Sequence, residues 1–293
     1  MSEKMNPNFD SISPSAKSLL LTKSLTNIPF AKEAAKIIMG DNTFSYSQER
    51  LSSIGFLLRL IHFEKRYYSI DKALKELGIK NICEFSSGFS FRGLSMCKDP
   101  EICYIDTDLP QIIKIKELII QELNQKFCDY SIGNLLLRPL DVLDKNDFTK
   151  CFNNFSNSPI VLVNEGLLIY FDIEQKRKLC CLIYNLLSER EGYWITSDIY
   201  IKNEVQDTKP NGFYETTGEQ FLVDHNVEEN KFVSFESAEV FFKEFGFDIY
   251  MKIDVPTTQL SSRKFLGRIP RDKIIEIKNR QKVRETWILK PKD

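Results

Sequence analysis

Acidic residues follow four short apolar segments of this sequence. Glu84 is the fourth residue of "NICEF", Asp106 and Asp108 belong to "YIDTDLP", Asp141 follows "LLLRPL", and Glu165 follows "PIVLVN". Open α/β sheets bind their ligands outside the carboxyl ends of parallel strands. If the four segments are such strands, these carboxylates meet at one edge of the sheet. We therefore predict a ligand crevice lined by acids.

The turn after the first segment discriminates between nucleotide ligands. A dinucleotide needs G-x-G-x-x-G, so that the backbone can approach a pyrophosphate at a helix N-terminus. Residues 86–91 read "SSGFSF" instead, and a carboxylate at Glu84 would repel phosphate. An acid about twenty residues after the turn, Asp106 or Asp108, stands where a ribose is bound. These features predict S-adenosylmethionine, a nucleoside without phosphate whose sulfonium and ammonium groups suit carboxylates.

The first third of the chain is predicted to be helical. Ser13 and the proline after it mark the start of one helix, and a second helix covers 29–40. A third helix begins at about Gln48, and a short fourth covers 69–77 and ends at Gly78. No strand pattern interrupts these helices.

From Ile79 onward, short apolar segments alternate with helical ones, which indicates a parallel sheet covered on both faces. The predicted strands cover 79–85, 102–105, 135–138, 159–166 and 193–199, with helices over 109–126 and 172–187. A polar stretch at about 200–235 is too long for an ordinary connection and is typical of a lid or binding loop. A helix over 236–245 and the strands "GFDIYMKID" and "RETWILK" follow.

Composition narrows the class of protein. The 293 residues carry 40 basic and 41 acidic side chains, so no overall field attracts nucleic acid or an anionic membrane. The seven cysteines form no C-x-x-C pair, which argues against a metal site or a disulfide framework. The N-terminal residues lack an apolar signal core, and no apolar run is long enough to span a bilayer. We expect a cytoplasmic protein without a metal, and the oligomeric state stays open.

The segments "ICEFSSGFSFR", "YIDTDLP" and "VNEGLLIYF" resemble the motifs of the leucine carboxyl methyltransferase family. This family includes bacterial polyketide-type O-methyltransferases and belongs to the class I S-adenosylmethionine-dependent enzymes. The resemblance covers roughly 13–198 and implies a class I methyltransferase (Rossmann-like) α/β fold with an open, mostly parallel sheet. It divides the chain into an N-terminal helical cap over 1–78 and a cofactor-binding domain over 79–293, with the insertion at about 200–235.

The resemblance also implies roles for single residues. Asp108 holds the ribose hydroxyls, and Asp141 and Val142 border the adenine. Arg66 pairs with the methionine carboxylate, while Glu165 lies near the methionine amino group or the acceptor. The predicted cofactor-binding residues are Arg66, Glu84, Ser86, Gly88, Asp106, Asp108, Asp141, Val142 and Glu165, and the predicted catalytic residues are Glu165 and Tyr170.

Three positions depart from the family motifs. Ser86 replaces the first glycine of the turn, although Gly88 is kept to back the methionine moiety. The pair at 90–91, Ser-Phe, replaces Asp-Thr before Arg92. Asp106 replaces a glutamate, which preserves the charge. The first two departures leave the detail of the turn open.

Most of these residues also have a purely structural interpretation. Glu84 would then accept hydrogen bonds from turn amides, and Asp141 would be a loop acid. Asp108 is also suited to cap the helix that begins at the following Leu-Pro. Arg66 would lie on a solvated helix face, and Arg92 would either bind the ligand carboxylate or be a surface charge.

These observations predict an O-methyltransferase that converts S-adenosylmethionine into S-adenosylhomocysteine and methylates a carboxylate or hydroxyl of a small molecule or a peptide C-terminus. A carboxylate acceptor needs no base, whereas an alcohol or phenol does. His62 reads as a packed or partner-satisfied residue and His225 as a loop residue, so the absence of a clear histidine base favours a carboxylate or an acidic phenol. Tyr170, Asp198 and Tyr200 remain possible participants. An NAD(P)-dependent oxidoreductase and a non-catalytic adenosyl-binding protein remain as alternatives.

Overall fold

The structure, a computed structural model, describes residues 14–39, 46–47, 49, 51, 53–127, 134–152, 155, 159–202, 226–270 and 282–292. Several predictions therefore lie outside the described residues. They are the helix start at Ser13, the helix end at Gly40, the helix start at Gln48, most of the polar insertion, and His225.

Among the residues that the structure describes, the helices α1 (Pro14–Lys23), α2 (Ala31–Met39) and α3 (Ile54–Leu77) precede the sheet. The third and fourth helices of the sequence prediction are one continuous helix, because Ser69 caps no new helix. Its hydroxyl instead donates to the carbonyl of Arg66 one turn earlier, at 2.8 Å. Helix α3 ends as predicted at Gly78, which adopts the left-handed conformation at φ 64°.

Seven strands form one sheet in the order β3-β2-β1-β4-β5-β7-β6. Strands β1 to β5 run parallel, and β7 lies antiparallel between β5 and β6. The strands are β1 (Asn81–Phe85), β2 (Cys103–Asp108), β3 (Leu135–Pro139), β4 (Ile160–Asn164), β5 (Tyr193–Tyr200), β6 (Phe247–Ile253) and β7 (Arg284–Pro291). The strand order reverses direction between β1 and β4, and such a switch point is where open α/β sheets bind ligands.

Helices cover both faces of this sheet. The α-helices that the structure describes after β1 are α4 (Arg92–Met96), α5 (Pro110–Phe127), α6 (Lys145–Phe152), α7 (Ile173–Arg190) and α8 (Phe235–Glu244). Side chains of α1, α2, α3 and α5 share one buried cluster with Val161 and Val163. Side chains of α6, α7 and α8 share a second with Ile160 and Leu162. Strand β4 is therefore buried throughout, because each of its faces meets a helical layer.

Two helices were not predicted from the sequence, α4 and α6. They contain only five and eight residues, too few for a helical period to be recognised. The start of α7 was predicted correctly, because Asp172 forms a capping box with Gln175. Among the helices of the described ranges, none is long and apolar enough to cross a membrane.

Candidate active site

The turn after β1 adopts a conformation that favours glycine at two positions. Ser86 has φ 48° and Gly88 has φ 53°. The Ser87 N–H donates to the carbonyl of Thr107 at 3.0 Å and so ties the turn to β2. A Cβ added to Gly88 would meet nothing within 4 Å, so the space above the turn is open. Ser86 thus keeps the backbone of the glycine that the resemblance leads one to expect there.

We expect Ser86→Gly to raise the free energy of unfolding by about 0.5–1 kcal/mol. Left-handed backbone costs an ordinary L-residue about 1–2 kcal/mol, and the greater freedom of glycine in the unfolded chain offsets part of the gain. Urea denaturation measures the change. Ser90→Gly is the matched control, because Ser90 lies in the same turn without a positive φ and its hydroxyl accepts from the Arg92 N–H. A loss of stability in both variants would contradict the strain at Ser86.

Asp108 lies directly beside this turn, at the end of β2. Its Oδ2 accepts the Gly88 N–H at 2.7 Å, and its Oδ1 accepts the Leu109 N–H at 2.7 Å. In the described part of the chain its partners are these backbone groups rather than a basic side chain. Burial raises the pKa of Asp108, and the two N–H groups act in the opposite direction. It does not cap α5, whose first residue is Pro110.

Asp106 lies beneath the turn and is 1% exposed. Its Oδ2 is 2.6 Å from the Nζ of Lys116, and its Oδ1 accepts the hydroxyl of Ser87. Lys116 also donates to the Ser87 oxygen at 2.9 Å. Burial raises the pKa of Asp106, whereas Lys116 opposes this shift. The sequence offered no sign of Lys116, because a lysine in an amphipathic helix is usually solvated.

Arg92 is the centre of a buried ion-pair network. Its Nη1 donates to Glu84 and its Nε to Asp71 at 2.7 Å. Its Nη2 donates to Glu165 at 2.9 Å. Glu84 also accepts the hydroxyl of Tyr104 at 2.6 Å. Burial raises the pKa of Glu84, while Arg92 opposes the shift. Arg92 is therefore neither a surface charge nor a side chain open to a ligand in this arrangement.

Glu165 receives basic side chains from three helices. Its Oε1 is 2.7 Å from the Nζ of Lys23 and 3.2 Å from the Nε of Arg66. Its Oε2 is 2.9 Å from Arg92. Burial by itself would raise the pKa of Glu165, but these three cations together hold it well below its usual range. Glu165 is thus an ionised hydrogen-bond acceptor at neutral pH.

The charges of this network balance. The cations Lys23, Arg66 and Arg92 face the carboxylates Asp71, Glu84 and Glu165. Glu84 and Glu165 are therefore paired with basic side chains of the chain rather than free, and their roles in ligand binding stay predictions. The pairing arises because basic side chains from the N-terminal helices and α4 reach the strand ends. Asp108 is left as the carboxylate beside the open turn.

Asp198 fixes the loop that carries Glu165. Its carboxylate accepts the N–H groups of Gly166, Leu167 and Leu168 at 2.6–3.1 Å. The side-chain amide of Asn164 donates to it as well, at 2.7 Å. Because several donors saturate this buried carboxylate, Asp198 acts by positioning the loop rather than by proton transfer.

Tyr200, at the end of β5, contacts two side chains of α3. Its hydroxyl is 2.8 Å from the Nε2 of His62, and the Nη1 of Arg66 donates to it at 3.3 Å. Burial lowers the pKa of His62 well below its usual value, and Arg284 and Arg66 add to this effect. His62 is therefore a neutral imidazole paired with a tyrosine, in agreement with the prediction of a packed or partner-satisfied side chain.

The remaining predicted residues lie around the same edge. Tyr170 closes the short 3-10 helix Leu168–Tyr170, and burial raises its pKa. Asp141 is exposed and accepts the Leu143 N–H at 2.9 Å, and Val142 is buried. Their roles stay predictions, as do those of the other predicted site residues. Within the described ranges, no cluster of His, Cys, Asp or Glu is suited to hold a metal ion.

Comparison with known proteins places the fold. No protein-family model and no curated protein matches the sequence. A DUF574 family protein from Streptomyces avermitilis is similar in structure, with 12% identity, a TM-score of 0.51, and 94% of this chain and 97% of that chain covered. A putative O-methyltransferase from Nostoc punctiforme has 16% identity, a TM-score of 0.46, and coverage of 94% and 72%. An S-adenosylmethionine-dependent methyltransferase from Anabaena variabilis has 15% identity, a TM-score of 0.46, and coverage of 78% and 84%.

The sheet topology and the first of these similarities confirm the predicted fold, an open and mostly parallel Rossmann-like sheet with helices on both faces. None of the three structures is described as a leucine carboxyl methyltransferase. That resemblance therefore stays a prediction.

Proposed function

We propose that this protein is an S-adenosylmethionine-dependent O-methyltransferase that acts on a small molecule. The observation that carries the proposal is the position of Asp108, whose carboxylate lies against the Gly88 amide beside the open turn. The fold supports the same class, because the turn lies at the switch point of the sheet.

The turn is unsuited to a pyrophosphate. Phosphate sites use free backbone N–H groups at the start of a helix. Here the Gly88 N–H donates to Asp108, and the N–H groups of Ser87 and Ser90 donate to backbone carbonyls. Helix α4 has only five residues, and the guanidinium of its first residue, Arg92, is held in ion pairs. This arrangement argues against the NAD(P)-dependent oxidoreductase.

The residues present fit an adenosyl cation. Each carboxylate oxygen of Asp108 accepts one N–H and retains a further acceptor position for a ribose hydroxyl. The carboxylate of Glu165 suits the ammonium group of the ligand, and Lys23 and Arg66 suit its carboxylate. The cofactor supplies a methyl group activated by a positive sulfur. The chain contributes by orienting the acceptor and excluding water.

The acceptor we propose is a small molecule that presents a carboxylate or hydroxyl, and a peptide C-terminus is the larger variant of this class. Membership of the leucine carboxyl methyltransferase family belongs to the same proposal, as do the cytoplasmic location and the absence of nucleic-acid and membrane partners. A non-catalytic protein that binds the same ligand is the second candidate, favoured by Ser86 in place of glycine.

We expect Asp108→Asn to weaken S-adenosylmethionine binding by more than about tenfold, because hydrogen bonds to a charged acceptor contribute about 1.5–3 kcal/mol. Isothermal titration with S-adenosylmethionine and S-adenosylhomocysteine measures the effect. Asp99→Asn is the matched control, since Asp99 pairs with Lys80 on the exposed surface. Titration with NADH provides the comparison for the oxidoreductase.

Equal affinity in Asp108→Asn and wild type would contradict the placement of the ribose. Binding of NADH without binding of S-adenosylmethionine would contradict the proposed function as a whole. Transfer of a radiolabelled methyl group to a panel of acceptors separates an enzyme from a binding protein.

A further inference from the structure

The hydroxyl of Tyr200 lies between an imidazole and a guanidinium. His62 Nε2 is 2.8 Å from it, and Arg66 Nη1 is 3.3 Å from it on another side. The rings of Tyr200 and His62 also touch, with centroids 5.7 Å apart. Both side chains are half-buried rather than enclosed. Tyr200 and His62 therefore form a hydrogen-bonded pair that is not fully enclosed by the protein.

This pair lies on the side of the crevice that the nucleoside leaves free. Asp108 and Gly88 place the ribose at the ends of β1 and β2, whereas Tyr200 ends β5, on the far side of β4. The guanidinium of Arg66 bridges the two regions, because its Nε contacts Glu165 and its Nη1 contacts Tyr200. We therefore place the acceptor at the ends of β4 and β5.

The charges around His62 keep it neutral before any reaction. Burial and the guanidiniums of Arg284, Arg66 and Arg59 lower its pKa, and Glu165 acts in the opposite direction. The relay requires the tautomer of His62 whose Nδ1 carries the proton, because Nε2 then accepts a proton. The partner of that nitrogen is the hydroxyl of Tyr200.

We propose that Tyr200 takes the proton from a hydroxyl-bearing acceptor and passes its own proton to His62, so that the acceptor is an alcohol or a phenol. The inference rests on the proposed methyltransferase function and deepens it. Tyr200 is the catalytic residue, since it touches the acceptor. His62 acts through Tyr200.

The step is balanced in atoms and charge. The acceptor O–H bond breaks, and its proton moves to the oxygen of Tyr200 while the phenol proton of Tyr200 moves to Nε2 of His62. The oxygen of the acceptor forms the new C–O bond to the methyl group, and the electrons of the broken C–S bond remain on sulfur. One positive charge disappears at sulfur and one appears at the imidazole. The net charge of the site is therefore unchanged, although the guanidiniums of Arg284, Arg66 and Arg59 oppose the imidazolium.

A carboxylate acceptor would leave this pair without a role. Carboxylates are ionised at neutral pH and need no base. This consideration favours a hydroxyl acceptor.

The test compares Tyr200→Phe, His62→Gln and the control Tyr193→Phe, which changes the same residue type at the opposite end of β5. The acceptor probes are phenols of graded acidity and the benzoic acids with the same substituents, with tritiated S-adenosylmethionine as donor. We expect Tyr200→Phe to lower kcat with phenols at least about 100-fold, the range of general-base catalysis, and KM to stay within about threefold. The loss is expected to grow as the phenol becomes less acidic, and His62→Gln is expected to show the same trend.

A second measurement does not require catalysis and follows the imidazole of His62 by nuclear magnetic resonance. His225→Gln leaves His62 as the remaining histidine, so its ¹⁵N resonances are assigned directly. We expect Tyr200→Phe to shift the Nε2 resonance and Tyr193→Phe to leave it unchanged. An unchanged resonance in Tyr200→Phe overturns the relay.

The outcomes separate the relay from the proposed function. Three outcomes overturn the relay while binding of S-adenosylmethionine stands. Wild type methylates the benzoic acids alone, or it methylates none of the probes, or Tyr200→Phe keeps the kcat of wild type with the phenols. A loss that is equal for all phenols assigns Tyr200 a structural role and also overturns it. If wild type binds no S-adenosylmethionine, the proposed function fails first.

Discussion

Glu165→Ala is expected to lower the free energy of unfolding by about 3–5 kcal/mol, the cost of removing one partner from a buried ion pair. The carboxylate is the shared partner of Lys23, Arg66 and Arg92, each within 3.2 Å. Without it, three buried cations remain close together with less compensation. Guanidinium denaturation of the ligand-free protein measures the loss.

The control for this substitution is Glu174→Ala, because Glu174 forms an exposed pair with Arg177 at 3.8 Å on the surface of α7. Exposed pairs contribute about 0–1 kcal/mol, so this variant is expected to unfold almost like wild type. A change of less than about 1 kcal/mol in Glu165→Ala would show that the three cations are solvated and that the buried network is incorrect.

The lowered pKa of Glu165 also predicts that the free energy of unfolding depends on pH. Folding lowers the pKa of Glu165, so its contribution to stability is complete above the unfolded value of about 4.3 and declines as the pH falls below it. The difference in unfolding free energy between wild type and Glu165→Gln is therefore expected to narrow below about pH 4. A difference that widens in acid would contradict the ionised state of Glu165.

Asp198→Ala is expected to lower the free energy of unfolding by at least about 3 kcal/mol, because each buried N–H left without an acceptor costs about 1–3 kcal/mol. The carboxylate accepts the N–H groups of Gly166, Leu167 and Leu168 and the amide of Asn164. The loop that these residues form carries Glu165. We therefore expect cofactor affinity to fall together with stability.

Hydrogen exchange distinguishes this local effect from a general one. In Asp198→Ala the amides of Leu167 and Leu168 are expected to exchange much faster, whereas those of β1 follow global unfolding. Asp248→Ala is the matched control, since Asp248 is an exposed acid on the edge strand β6. Unchanged protection of Leu167 and Leu168 would show that other groups hold the loop.

Local structure was accessible from the sequence because it depends on near neighbours. The apolar run at 160–164, the capping box at Asp172 and the left-handed Gly78 each arise from interactions within a few residues. The parallel arrangement then followed from the alternation of strands and helices, and it placed Asp106 and Asp108 at the right edge. The short helices α4 and α6 were missed because they are about one to two turns long.

The partners of the buried charged and polar residues could not be predicted from local sequence patterns. Lys23 lies 142 positions from Glu165 in the sequence, and His62 lies 138 positions from Tyr200. In their own helices these side chains look like an ordinary surface lysine and a packed histidine. Nothing in the local pattern distinguishes them from residues that have no such partner.

By itself, the sequence determined the order of the strands and the longer helices along the chain, the open α/β fold, and the set of acids at the strand ends. Turn chemistry and hydrophobic periodicity act over a few residues, so they can be read from the sequence. Only the tertiary structure decided which acids are neutralised, that Asp108 remains beside the open turn, and that Tyr200 meets His62. The free energy of a buried charge depends on partners that the folded chain brings from distant positions. Charge pairing is therefore a property of the assembled sheet and helices, not of any one segment.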